Sequence, residues 1–310
     1  MRTVFFGTPA IAVPALEALA ATTDVVGVVC QPDRPAGRGL TVQAPPVKQA
    51  ACHLGLVVHQ PVRVKTGNLH EWLAERAPDV AIVMAYGRIL PPQVLSAPRV
   101  GCMNLHASLL PRYRGAAPIN WCLVHGETQT GISLMQMDEG MDTGPVFSKR
   151  VLEIDPETTA GELAQQLATL AAVVVREDVP RAVAGRISAT PQDHSRATSA
   201  PPIEAHHTQI DWNSSPESIS NLVRGMSPRP GARTTVRGKT LKVLRARSAS
   251  TVERQQPGTV TILDGPHIVV ATRQGAVELL QAQVEGRRVQ LAADLVNGRA
   301  LRTGDVLGTS

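Results

Sequence analysis

Through the first half of this chain, short apolar runs alternate with segments of helical spacing. Arg2–Phe6 is an apolar run closed by Gly7, and Pro9–Ala21 then repeats Ile11, Ala15, Leu16 and Leu19 at helical intervals. Val25–Cys30 is a second apolar run, Pro45–Leu54 reads as a helix and Leu56–His59 as a third strand. Asn68–Arg76 reads as a helix, with Val80–Ala85 and Cys102–His106 as the fourth and fifth strands. Near-continuous apolar strands separated by helices build an open parallel sheet covered on both faces. The expected fold class is therefore α/β, with a Rossmann-like open parallel-type sheet. Ligands of such sheets bind beyond the C-terminal ends of the strands. Gly7-Thr8-Pro9, Tyr86-Gly87-Arg88 and Asn104–His106 all fall there. The first of these is not G-x-G-x-x-G, so no dinucleotide is implied.

Downstream, Ala116–Val124 reads as a helix, Gly131–Gln136 as a strand and Asp138–Gly144 as an acidic, turn-rich loop. Val146–Ile154 follows as a strand, and Thr158–Ala184 as one long amphipathic helix stopped by Gly185. Over residues 188–207 the composition shifts to Ser, Thr, Ala, Pro and Gln, as in a linker. Beyond it come five short β-like runs: Arg233–Val236, Thr240–Arg245, Gly258–Leu263, His267–Ala271 and Ala276–Gln283. This spacing predicts a small β-barrel or sandwich. The expected organisation is a catalytic domain over 1–187, a linker over 188–207 and a basic β domain over 208–310.

Composition narrows the function. The chain has 310 residues, enough for two domains. No apolar run approaches the roughly 20 residues that span a bilayer. Residues 1–20 imitate a secretory signal, but Gly7-Thr8-Pro9, Pro14 and Glu17 break the imitation. A cytoplasmic protein is expected. Cys30, Cys52, Cys102 and Cys122 show no C-x-x-C spacing, which argues against zinc and for buried free thiols in a reducing compartment. Residues 1–205 carry 17 Lys and Arg against 18 Asp and Glu, whereas residues 206–310 carry 14 against 8. Arg229, Arg233, Arg237, Lys239, Lys242, Arg245 and Arg247 lie in one stretch without an acidic residue. A field of one sign attracts phosphate, and a whole basic domain beside a neutral one points to nucleic acid. A single charge run of this kind is more often a solvated face.

Asn104 and His106, two apart on a strand, point to the same side. With Asp142 they make an amide, an imidazole and a carboxylate, the parts needed to move an acyl group between nucleophiles. The amide stabilises the oxyanion of a tetrahedral intermediate, the imidazole donates to it and protonates the leaving nitrogen, and the carboxylate holds the imidazole and helps remove a proton from the incoming amine. Taken singly, each residue is more often a turn-former or a satisfied polar group, and Asp142-Thr143-Gly144 is an ordinary turn sequence. Ser108 has no local base and is not expected to be a nucleophile. His206-His207 alone do not make a metal site.

Asn104-Leu105-His106-Ala107-Ser108-Leu109-Leu110-Pro111, Arg114–Ile119, Thr130-Gly131 and Asp138–Gly144 together resemble the signature of folate-dependent formyltransferases. Gln31-Pro32-Asp33-Arg34-Pro35-Ala36-Gly37-Arg38-Gly39, with Pro46-Val47-Lys48, Ala85-Tyr86-Gly87 and Ile210-Asp211-Trp212, resembles the members that act on initiator tRNA. The resemblance covers nearly the whole chain and is densest over residues 3–145. It implies 10-formyltetrahydrofolate as formyl donor, the α-amino group of charged methionyl initiator tRNA as acceptor, no metal and a monomer. Asn104, His106 and Asp142 match the catalytic positions. Ser108, Leu109, Leu110 and Pro111 match a folate-contacting segment, and Arg88, Ile89 and Leu90 match a backbone wall of the pterin pocket.

The same resemblance makes the loop around Asp33–Leu40 a contact with the acceptor stem, through Arg38 supported by Arg34 and Lys48. It makes the C-terminal domain an OB-like barrel that tracks tRNA by charge through Arg229, Arg233, Arg237, Lys239 and Lys242. Arg112 and Arg114 either serve phosphates near the reactive end or pack their loop. The chain departs from the family pattern at Pro202–Thr208, where a Lys-rich approach is usual, and at Ser227–Ala232, where an aromatic-rich segment is usual. A formyltransferase acting on an amino sugar or another small amine is an alternative reading, as is a catalytically silent RNA-binding protein.

Overall fold

The computed structural model describes residues 1–36, 41–249, 255–263 and 267–308. The chain forms two compact units. The first comprises Met1–Pro118, Gln129–Leu152 and Ala164–Pro201, and the second Ile119–Thr128, Glu153–Leu163 and Pro202–Ser310.

In chain order the elements up to residue 183 are β1 (Arg2–Gly7), α1 (Val13–Thr22), β2 (Asp24–Val29), β3 (Arg34–Ala36), β4 (Thr41–Gln43), α2 (Pro46–His53), β5 (Val58–His59) and α3 (Leu69–Arg76). They continue with β6 (Val80–Met84), α4 (Pro92–Leu95), β7 (Cys102–His106), α5 (Pro118–Val124), β8 (Gln129–Gln136), β9 (Val146–Glu153) and α6 (Ala160–Val183). The main sheet runs β5-β2-β1-β6-β7-β8-β9. Its ladders are parallel from β5 to β7. At β7 and β8 the pairing becomes antiparallel, with Asn104 opposite Met135 and His106 opposite Ser133. Apolar content alone does not reveal that reversal, because the connection from β7 to β8 is long enough for either direction. β1 and β6 are buried along nearly their whole length, as strands covered on both faces must be. From β1 the chain proceeds outward to β2 and β5, then returns to the other side of β1 to lay down β6 and β7. This order creates a topological switch point at the ends of β1 and β6, where Gly7 pairs with Met84.

The second unit adds α7 (Pro216–Met226), β10 (Ala232–Val236), β11 (Lys239–Ala249), β12 (Val260–Leu263), β13 (His267–Thr272), β14 (Gly275–Val284), β15 (Gln290–Leu291) and α8 (Ala292–Asn297). The strand order is β10-β11-β14-β13-β12, with β15 on β14, and every ladder is antiparallel. Burial along β10 alternates residue by residue, because one face meets the core and the other does not. Ile210, Trp212, Val223, Leu241, Val243, Val277 and Leu279 belong to that core. The Trp212 indole N–H donates to Thr234 Oγ1 at 3.1 Å, so its polar edge is satisfied where it is buried.

The fold class is the one expected from the sequence: an open, parallel-type α/β sheet followed by a smaller antiparallel β domain. Two helices in that β domain were not expected. Ser215 caps α7 by accepting the Ser218 N–H, Pro216 opens the helix, and Glu217 sits in its first turn. One expectation about the thiols is also corrected. Cys30, Cys102 and Cys122 are buried, but Cys52 is exposed. In α2 the inward positions are Val47 and Ala51, and Cys52 lies one residue, about 100° of helix, beyond them. Burial pushes the Cys30 thiol up to about 11 and the Cys102 thiol up to about 12.

Candidate active site

β7 carries Asn104 and His106 to the C-terminal edge of the main sheet, and the loop between β8 and β9 carries Asp142 to them. Asn104 Nδ2 donates to Asp142 Oδ1 at 3.3 Å, and His106 Nδ1 lies 3.5 Å from Asp142 Oδ2. The other ring nitrogen, Nε2, lies 2.8 Å from the carbonyl oxygen of Tyr113. Both nitrogens of this buried imidazole thus face oxygen atoms, one of a carboxylate and one of a main-chain carbonyl. The backbone N–H of Gly115 donates to Asp142 Oδ2 at 2.9 Å. The carboxylate therefore meets an amide, an imidazole and a main-chain donor at once.

Two non-glycine residues adopt the left-handed region to make this possible: Asp142 at φ 55° and Tyr113 at φ 60°. Such backbone persists only where its surroundings hold it. Gly115, at φ 121°, is required for a second reason: a Cβ there would lie 2.7 Å from the Ala200 carbonyl oxygen. Residues 198–200 lie against the same turn. Tyr113 N–H donates to Thr198 Oγ1 and Arg114 N–H to the Thr198 carbonyl, both at 2.8 Å, while Ala200 N–H donates to the Arg114 carbonyl at 2.7 Å. Gly115 lay inside the Arg114–Ile119 motif without being given a role, and no motif marked Gln192 or Thr198.

Ser108 is fully buried, and its hydroxyl donates to the Arg112 carbonyl at 2.6 Å. Ser133 Oγ donates to the Ser108 carbonyl and accepts the Leu110 N–H, fixing the turn that leads through the cis Leu110–Pro111 bond. Leu110 packs with Met135 and Val146. Arg114 packs its own loop, donating to Gln192 Oε1 and lying 3.2 Å from His194 Nδ1. The Arg112 guanidinium stands 5.3 Å from the Tyr113 ring centroid.

At the switch point, Gln31 Nε2 and Thr8 Oγ1 both donate to the Tyr86 carbonyl. Gln31 Oε1 accepts from Arg88 Nε at 2.9 Å and from Arg34 Nη2 at 3.4 Å. Beyond Gly87 the Ile89 side chain is 65% exposed while Leu90 is buried. The N–H and C=O groups of residues 88–90 make no hydrogen bond among the described residues. A wall of unpaired main-chain donors and acceptors beside an exposed apolar side chain fits a flat heterocycle whose edge is read by hydrogen bonds. Lys48 is paired with Asp33 at 2.7 Å, which Gln60 also contacts at 2.7 Å. Those hydrogen bonds from Gln60 and Lys48 hold the Asp33 carboxyl below its ordinary value. Arg38 lies outside the described residues.

The cations of the second unit divide into two groups. Arg237 reaches Asp305 at 3.2 Å and the Ala300 carbonyl, Arg245 pairs with Glu162, and Arg247 Nε donates to Glu278 at 2.7 Å. The side chains of Arg229, Lys239 and Lys242 make no ion pair among the described residues. Arg233 is half-buried, and its Nε has no hydrogen-bond partner. Among the described residues no cluster of His, Cys, Asp and Glu is placed to hold a metal ion, and no helix is long and apolar enough to cross a membrane.

The profile of the formyl transferase family matches residues 1–178, and that of the formyl transferase C-terminal domain matches residues 202–300. A methionyl-tRNA formyltransferase of Sorangium cellulosum strain So ce56 is 59% identical over 310 residues, covering 99% of this chain and 100% of that one. The methionyl-tRNA formyltransferase of Myxococcus xanthus strain DK1622 is 46% identical over 303 residues, covering 98% and 96%. Among solved structures, the sugar 3N-formyl transferase WlaRD superposes with a TM-score of 0.68 at 14% identity, covering 93% of this chain and 99% of that one, a likeness of fold. Matched by the family profile over most of its first unit and by full-length relatives from end to end, the chain belongs to the formyl transferase family.

Proposed function

We propose that this chain transfers the formyl group of 10-formyltetrahydrofolate to the α-amino group of methionyl initiator tRNA. The observation that carries this reading is the meeting of Asn104, His106 and Asp142 at the end of β7, in a chain 59% identical to a methionyl-tRNA formyltransferase. The incoming amine attacks the formyl carbon, a C–N bond forms, and the carbonyl electron pair moves to oxygen. Asn104 has two amide N–H groups; one is spent on Asp142 and the other serves the oxyanion. The Tyr113 carbonyl holds His106 at Nε2, which leaves the Nδ1 edge, shared with Asp142, for proton movement. Asp142 accepts the proton lost by the amine. His106 returns a proton to N10 as the C–N10 bond breaks, and tetrahydrofolate leaves. No bond to the enzyme is made at any step.

In this reading residues 1–187 carry the catalytic trio and 208–310 track the tRNA backbone, while 188–207 connect them in sequence and, through Gln192 and Thr198, brace the catalytic loops. Ser108, Leu109, Leu110 and Pro111 line the donor beside the wall of Arg88, Ile89 and Leu90. Arg34 and Arg38 serve the acceptor end, Lys48 supports their loop through its pair with Asp33, and Arg229, Arg233, Lys239 and Lys242 serve phosphates. Arg237 is assigned a structural part instead, because Asp305 and the Ala300 carbonyl already engage it. The enzyme works as a monomer in the cytoplasm.

Formyl transfer from 10-formyltetrahydrofolate to charged initiator tRNA, measured with wild type and Asn104→Ala in parallel, tests the reading. The expected loss in the variant is about 10²- to 10³-fold, the scale of one oxyanion donor. Absence of transfer by folded wild type would overturn the reading, and an amino-sugar acceptor would then be tried.

A further inference from the structure

Asp142 holds a backbone conformation uncommon for a non-glycine residue, at φ 55°, and something must keep it there. The side chain that touches its main chain is Gln192, from the polar stretch after α6. Gln192 Nε2 donates to the Asp142 carbonyl at 2.8 Å and to the Gly144 carbonyl at 2.7 Å. Gln192 Oε1 accepts from Arg114 Nε at 3.1 Å and from Arg114 Nη2 at 2.7 Å. A primary amide has two N–H donors and two acceptor lone pairs, and all four are used. The amide cannot be reversed, because its oxygen would then face two carbonyls and its N–H groups a guanidinium. Gln192 is 8% exposed, and a buried amide satisfied at every position is held in one orientation.

Arg114 and Gly115 are adjacent, and the Gly115 N–H donates to the Asp142 carboxylate. Gln192 therefore ties the main chain of the Asp142 loop to the turn that supplies the carboxylate's own donor. Gly144, the second carbonyl in the clamp, is confined as well: a Cβ there would lie 1.9 Å from the Gln136 carbonyl oxygen.

We infer that Gln192 is a positioning residue for the transfer reaction, holding the Asp142 carboxylate in register with His106 and Asn104 by clamping the backbone at 142 and 144 to Arg114. The inference rests on the role proposed above for Asp142. Gln192 acts through Asp142, so its contribution disappears when Asp142 is absent. Catalytic geometry is sensitive at this scale, a shift of about 1 Å costing about 10²-fold in rate.

The test is a double-mutant cycle on the full chain, with 10-formyltetrahydrofolate and charged initiator tRNA as substrates. Gln192→Leu removes all four hydrogen bonds and is expected to lower kcat by about 10- to 100-fold, with KM for both substrates within about twofold of wild type. Asp142→Ala is expected to lose at least as much, and adding Gln192→Leu to it to change kcat by less than about twofold. An equal further loss in the Asp142→Ala background would overturn the inference, because a general structural defect adds to any other. Loss in Asp142→Ala with none in Gln192→Leu would overturn the inference alone. A wild-type rate in Asp142→Ala would overturn both the inference and the role of Asp142. If Gln192→Leu does not fold, Gln192→Glu decides. It keeps an acceptor for Arg114 but turns an oxygen on the two carbonyls; a folded variant with unchanged kcat would overturn the inference.

Discussion

The polar groups at the end of β7 and the cations of the β domain are organised in opposite ways. Around Asp142 each charged or polar side chain ends on another: Asn104 on its carboxylate, His106 between it and a carbonyl, Gln192 on its backbone. In the second unit Arg229, Lys239 and Lys242 carry charge without an ion-pair partner among the described residues, although Arg237, Arg245 and Arg247 close by in sequence are all paired. The difference fits the parts proposed for the two regions. A transition state is stabilised by donors fixed before the reaction begins, so ordering is worth its entropy. A phosphate chain is attracted by charge with little demand on angle, and an ion pair would neutralise that charge before the ligand arrived.

The contrast breaks most visibly at His106. His106→Ala is expected to slow transfer by about 10²- to 10⁴-fold while leaving tRNA affinity within about twofold, measured by filter binding. A parallel fall in affinity would mean that the ordered site also carries binding. A smaller effect sharpens the other side. The double variant Lys239→Ala, Lys242→Ala is expected to weaken tRNA binding and to make the slope of log affinity against log salt shallower by about 2, with kcat unchanged at saturation. Arg237→Ala is the control: its partner Asp305 is internal, so the slope should not move and stability should fall by no more than about 1 kcal/mol.

The smallest expected effect concerns acid. Burial of Asp178 on α6 would raise its carboxyl, but hydrogen bonds from Arg150 and Ser148 on β9 outweigh it and hold the group below the ordinary 3.8. A carboxyl depressed on folding contributes stability that is complete above its unfolded value and lost as pH falls through the folded one. Asp178→Asn should therefore cost thermal stability at neutral pH, and the gap to wild type should narrow as pH drops below 3.8. A gap independent of pH would remove the ion pair as its cause.

Much of the ordered region was legible in the sequence. Two side chains two apart on an apolar run that ends a predicted strand must share a face, which places Asn104 beside His106. Asp142 was named from the motif, but what brings it there is not periodic. Asp142 and Tyr113 take left-handed backbone without being glycine, and nothing in their identity announces it. Gln192 and Thr198 lie in a stretch rich in Ser, Thr, Pro and Gln, and such a composition reads the same whether it spans space or packs on a loop. The cationic run was readable as charge but not as pairing. Arg237 meets an aspartate 68 residues away, and Arg245 a glutamate 83 residues away. The start signals of α7, Ser215-Pro216-Glu217, were present, but the stretch between the linker and the first β-like run at Arg233 was assigned no element.

Fixed geometry in the first unit and unpaired charge in the second should carry separate terms of one reaction. Single-turnover formyl transfer with enzyme in excess, titrated with enzyme for His106→Ala and for Lys239→Ala, Lys242→Ala, tests it directly. The histidine variant should lose plateau rate at an unchanged half-saturating concentration, while the lysine variant should keep the plateau and need more enzyme to reach it. Both variants losing rate and affinity together would contradict it.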